Sequence, residues 1–140
     1  MKFTFYIIGV IILASCNTSP DPERYLSKTS ITIPVEYKIL DFKNDWSIGE
    51  STDNFKLLIS TNDYKRITEE IKDKGFFRRL DTCKVPNYAL DNNTNVQKIN
   101  ETACWYDNKY FYQIFRPDPI VLITIELEKD SLMMVTYEDL

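Results

Sequence analysis

The last third of the chain alternates. Val121, Ile123, Ile125 and Leu127 interleave with positions that include Glu126 and Glu128, and this period of two sends one set of side chains into a core and the other towards water. A helix would spread the same residues around its circumference, so the stretch reads as a half-buried strand. Residues 132–137 form another strand, and Lys129, Asp130 and Ser131 between the two read as a hairpin loop. Upstream, residues 103–106 and 110–116 flank Asp107, Asn108 and Lys109, a second short loop. Pro117, Asp118 and Pro119 then break the pairing. The segment from 103 onwards is thus expected as a four-strand meander.

Before it the pattern changes twice. Ile31, Ile33, Val35, Tyr37 and Ile39 alternate with polar residues and predict a strand, with Pro34 marking an edge position or a break. A polar loop is expected over residues 44–54, carrying Trp46 and Gly49, followed by a second strand through Phe55, Leu57 and Ile59. Tyr64, Ile67 and Ile71 are spaced three and four apart behind the N-cap candidates Ser60, Thr61 and Asn62, and Gly75 sits where a helix ends. One amphipathic helix over about 62–74 follows, its other face charged and including a Glu70–Lys74 pair in the favourable order. Residues 78–102 form a long polar segment. The expected fold is α+β: a mainly antiparallel sheet of about six strands in the order β-β-α-β-β-β-β, with the helix on one face. No internal repeat or second domain is apparent.

The N-terminus has a different grammar. Lys2 precedes an apolar run over residues 3–14, which as a helix would cover roughly 18 Å, short of the ~30 Å hydrocarbon core. That is the form of a secretory signal peptide rather than a membrane span. Its ending, Leu13, Ala14, Ser15 and Cys16, resembles the lipobox of bacterial lipoproteins. The resemblance implies removal of residues 1–15 and acylation of Cys16, and fatty chains there would hold the protein at a membrane. Asn17 rather than Asp follows the cysteine, which in enteric-type sorting favours the outer membrane. Residues 16–30, rich in Ser, Thr, Pro, Asp and Glu, are expected to be a flexible tether, and residues 31–140 a single domain.

With Cys16 lipidated, the remaining cysteines, Cys83 and Cys104, form a pair in an oxidising compartment and are expected to make a disulfide. Loss of Lys2 leaves 16 basic against 21 acidic residues, a formal charge of −5. That balance disfavours nucleic acid, and Arg78, Arg79 and Lys84, the densest basic cluster, are accompanied by Asp73 and Asp81. It also disfavours flat docking on an anionic bilayer.

The chain has no His, and the mature part has only Gly49 and Gly75. No Gly-x-Ser-x-Gly or Ser-x-x-Lys nucleophile motif and no phosphate-cradling loop is present, so no catalytic residue, cofactor or metal is assigned. Asp91, Asn93 and Asn95 begin a calcium-loop pattern that fails at Val96, where Gly is needed, and at Thr102, where a bidentate Glu is needed. Glu126 and Glu128 would stand about 7 Å apart on one strand face, and their setting reads as a solvent face rather than a glycosidase pair. The densest aromatic cluster, Trp105 to Phe115, would make both faces of one strand apolar, and a single helix covers only one of them. Either the long segment over residues 78–102 covers the other face, or it stays open, and in that case Trp105, Tyr110 and Tyr112 are the expected partner-binding face. The expected function is a membrane-anchored cell-envelope lipoprotein with a non-catalytic, protein-binding domain. Its rivals are an immunity-type lipoprotein that neutralises a toxin and a carbohydrate or small-ligand binder.

Overall fold

The computed structural model describes residues 19–79 and 100–140. Seven strands form one sheet in the order β1-β2-β7-β6-β5-β4-β3: β1 (Tyr37–Ser47), β2 (Glu50–Ile59), β3 (Arg78–Arg79), β4 (Asn100–Tyr106), β5 (Lys109–Pro117), β6 (Ile120–Glu128) and β7 (Leu132–Asp139). One main helix, α2 (Thr61–Lys72), follows β2, and a single turn, α1 (Glu23–Leu26), precedes β1. The mostly-sheet architecture agrees with an α+β reading, but the sheet has seven strands rather than six. The extra one is the two-residue β3, which pairs parallel to β4, whereas every other pairing is antiparallel. Two residues are too few for any periodicity to announce them.

The meander forms as its alternation requires. Val121, Ile123, Ile125 and Leu127 on β6 meet Met133, Val135 and Tyr137 on β7 and Tyr112 and Ile114 on β5, all on one buried face. The β4–β5 turn is tighter than the expected three-residue loop. Asp107 and Asn108 both take positive φ, the backbone twist that a two-residue hairpin favours. Lys109 is thereby released into β5.

The first hairpin departs from expectation in register. The strand expected over 31–39 starts only at Tyr37, and the polar loop expected over 44–54 is strand on both sides of a turn at Ile48 and Gly49. Sequence alternation fails here because the outer half of β1 buries neither face and the facing residues of β2 are at most half-buried, so nothing selects apolar residues at every second position. Gly49 supplies the positive φ of 87° at the turn.

Residues 23–30, expected within a flexible tether, and residues 31–36 after them form one strap across the sheet. Tyr25 and Leu26 are buried in the core, as is Ile31, and the segment shares with α2 the cover of the inner sheet face. Tyr25 stacks on Tyr137 with ring centroids 4.2 Å apart. Arg116 donates to the Lys28 carbonyl at 2.6 Å through Nη2 and at 3.0 Å through Nε. The strap's other border is tied to α2, whose Ile67 and Ile71 face the core. Asp63, Arg66, Glu70 and Lys74 recur at helical spacing along one side. Asp63 Oδ2 accepts from the amides of Val35 (3.1 Å) and Glu36 (3.2 Å), and Glu70 Oε2 accepts from that of Thr32 (2.8 Å). Arg66 donates to the Ile33 carbonyl and Lys74 to the Ser30 carbonyl, each at 3.2 Å. The charged face expected of the helix is thus a clasp. Arg66 pairs with Glu70 and Lys72 with Glu69, while Lys74 turns to the strap.

Asp63 is the node of that clasp and is only 4% exposed. Ser60 caps α2 by accepting from the Asp63 amide at 3.0 Å and donates its hydroxyl to the Asp63 carboxylate at 2.9 Å. Burial pushes the carboxyl up. The Arg66 guanidinium, the Glu36 and Val35 amides and the Ser60 hydroxyl outweigh burial and bring it down from 3.8 to about 2. A carboxyl depressed in this way stabilises the fold above its unfolded pKa, and the contribution, about 2 kcal/mol, is lost as pH falls through the folded value. Asp63→Asn is expected to lower the urea-unfolding free energy at neutral pH by about 2 kcal/mol and to flatten its fall between about pH 4 and 2. An unchanged acid limb would remove Asp63 from this role.

Candidate functional site

The sheet distributes the expected site residues unevenly. Tyr112, expected on an accessible binding face, is 0% exposed and lies in the centre of the core. Its hydroxyl meets Ser30 Oγ at 3.0 Å, and burial, opposed by Ser30 and helped by Glu101, raises its phenol to about 12. The aromatic pattern could not reveal this, because the strap that covers Tyr112 looked like a tether. Tyr110 is half-buried, packing near Phe77 with centroids 6.5 Å apart and under the Lys72 ammonium at 5.3 Å. Trp105 is also half-buried. Gln113 and Phe115, pointing the opposite way from Tyr112, are buried too. The three expected binding residues therefore do not make an open face.

Glu126 and Glu128 do share one face, but as ion-pair partners: Lys109 Nζ sits 3.2 Å from Glu126 and 2.7 Å from Glu128. The lysine's pKa is raised, chiefly by its hydrogen bond to Glu128. Among the described residues no group of three or more Cys, Asp or Glu could hold a metal ion. Cys16, Cys83 and the Asp91, Asn93 and Asn95 pattern lie outside the described residues. Cys104 is buried in β4 at 1% exposure.

Two features were not anticipated. The first is a cavity of about 740 Å³ between residues 19–25 and the β1–β2 hairpin. Phe42 and Phe55 give it an apolar wall, their rings 4.7 Å apart, and Asp53, Asn44 and Arg24 give it polar groups. Asp53 accepts from Asn44 Nδ2 at 2.6 Å and from the Tyr25 hydroxyl. Burial and then the Asp53 carboxylate push the Tyr25 phenol well above its ordinary range. Donors and acceptors beside aromatic rings suit a polar ligand. The hairpin read as a loop and residues 19–25 read as a tether together hid this cavity in the sequence.

The second feature is the hairpin's end. Trp46 is 76% exposed and Ile48 96% exposed, and Leu40 and Phe42 are also exposed along β1. Exposed apolar side chains scattered singly are ordinary, but these lie together along one edge strand and its turn. Compared with protein families, curated proteins and solved structures, the chain finds no match in any of the three.

Tyr112→Ser is expected to cost about 3 kcal/mol or more, because it empties a packed core position. Trp46→Ser should leave the thermal midpoint unchanged, since that side chain packs on nothing it must leave. Circular-dichroism melts of the two variants check the pair, and equal midpoints would contradict the burial described here.

Proposed function

We propose that this chain is a lipid-anchored protein of the bacterial cell envelope, of the outer membrane by the residue after Cys16, whose non-catalytic domain binds a protein partner. Acylation of Cys16 holds it at the bilayer, and Cys83 and Cys104 are joined by a disulfide. The observation that carries the partner-binding reading is the outer face of β2, β7 and β6. There Lys56, Met134 and Glu126 stand opposite one another across the three strands, beside the row Asn54, Thr136 and Thr124. All six are half-exposed, whereas their neighbours on the inner face are buried. Thr136 donates to Asn54 at 2.9 Å, and Gln113 on β5 donates to Thr124 at the same distance. A face that mixes fixed polar groups with Met134 and Leu122 has the composition of a non-obligate protein interface. It takes over the role first given to Trp105, Tyr110 and Tyr112.

The cavity beside Asp53 supports a second reading, a carbohydrate or small-ligand binder. The formal charge of −5 on the mature chain suits a basic partner, as an immunity-type protein would require. A photocrosslinking side chain at position 134, compared in intact cells with one at position 65 on the exposed side of α2, separates partner binding from the rest. A discrete covalent product from position 134 but not from position 65 is the expected result. Equal products from both, or none from 134, would refute the partner-facing role of the sheet. Cys16→Ser is expected to move the protein from the membrane fraction to the soluble one, and its retention in membranes would refute the anchor.

A further inference from the structure

The described chain begins at Ser19, and that end lies beside the outer half of the β1–β2 hairpin. Ser19 and Pro20 line the same cavity as Asn44 and Asp53, which face each other across the two strands. Cys16 is three residues earlier, and three residues span at most about 11 Å. From Asn44 to Ile48 is four residues along β1, about 13 Å at strand rise. A lipid on Cys16 can therefore lie no more than about 24 Å of chain, plus the width of the cavity, from the tip of the hairpin, a reach that lets both meet the same leaflet. At that tip stand Trp46 and Ile48, the two most exposed large side chains of the hairpin. Trp favours the membrane–water boundary, where its ring is half in hydrocarbon and its N–H stays wet.

We infer that the tip of the β1–β2 hairpin is a second membrane contact, with Trp46 and Ile48 seated in the interfacial layer of the bilayer that holds the Cys16 lipid. The inference rests on the anchored reading above. Asp45 and Glu50 flank the tip, so the contact is shallow and suits zwitterionic rather than anionic headgroups. Two side chains would not hold the domain to a membrane alone. Once lipid has brought the tip to the surface, the contact becomes intramolecular and needs little affinity of its own to persist. Its consequence is orientation: two points of attachment stop the domain from swinging about its N-terminus.

The test uses the full chain, produced with its leader in a lipoprotein-acylating bacterial host and extracted from membranes. Trp105→Phe leaves Trp46 as the only indole, because the chain has two tryptophans. The protein is reconstituted into phosphatidylcholine vesicles with and without brominated acyl chains, and the mass of the N-terminal peptide reports the lipid. The expected result is a blue-shifted Trp46 emission that loses more than about half its intensity to the brominated lipid. Adding Ile48→Asp should reduce that quenching. A lipidated protein whose Trp46 emits as in water and is not quenched would overturn the inference while leaving the anchor intact. A peptide without lipid on Cys16 would overturn both.

Discussion

The clasp between α2 and the strap is the constraint on which the fold depends. A seven-strand sheet with one twelve-residue helix has too little helix to roof its inner face, and Tyr25, Leu26 and Ile31 supply the missing cover. An extended segment lying on a sheet face has no ladder of its own, so its amides and carbonyls need partners from elsewhere. The polar side of α2 and Lys74 just past its end provide them, with Asp63 taking two amides, Glu70 one, and Arg66 and Lys74 satisfying carbonyls. Most of these groups are charged, which makes each bond stronger than a neutral one at the same distance. The Ser60 cap fixes where the helix starts and so where the stripe faces. Helix register, strap path and core closure are thus set by one row of side chains.

That arrangement explains what could be read from the sequence. The meander and α2 were legible because each has one buried face, and burial selects a period of two or of 3.6. The outer half of β1–β2 lies in no core, so Asn44 to Asn54 carried no periodic signal and read as a loop. The strap showed the opposite failure. Ile31, Ile33 and Val35 alternate as a strand would, yet their backbone pairs with side chains of a helix rather than with a neighbouring strand. Charged residues on α2 looked like solvation because sequence cannot show that Asp63 lies 4% exposed under the amides of Val35 and Glu36. The site followed from these errors: once the strap is a roof, Tyr112 is interior, and the accessible residues move to the hairpin and the outer sheet face.

The same roof changes the meaning of the N-terminal segment. A tether of about fifteen residues would let a domain sample a wide volume above a membrane, since flexible chain dimensions grow with the square root of length. Here the chain is already engaged at Glu23, which accepts from the Tyr37 hydroxyl at 3.0 Å, and at Tyr25, which donates to Asp53. If Cys16 carries lipid, only a handful of residues separates the bilayer from the fold. A protein held that closely has a near side and a far side, and the outer sheet face can be offered to a partner in a repeatable pose.

The hairpin itself calls for an explanation that the domain does not supply. Ordering each backbone residue costs about 1–2 kcal/mol, and isolated hairpins are marginal in water. β2 offsets this cost by pairing with β7 along almost its whole length, from Leu58 out to Ser51, and Phe55 and Leu57 add their burial in the core. Midway, Phe42 packs on Phe55 and Asn44 bonds to Asp53. Beyond that point Trp46 and Ile48 rest on nothing, and their exposure adds unfavourable hydration to the cost of ordering the tip. Ser or Asn at either position would stabilise the free domain at least as well and make it more soluble. Apolar side chains left this exposed at the end of a well-paired edge strand therefore gain little from the fold, and any benefit they bring comes from a surface outside it.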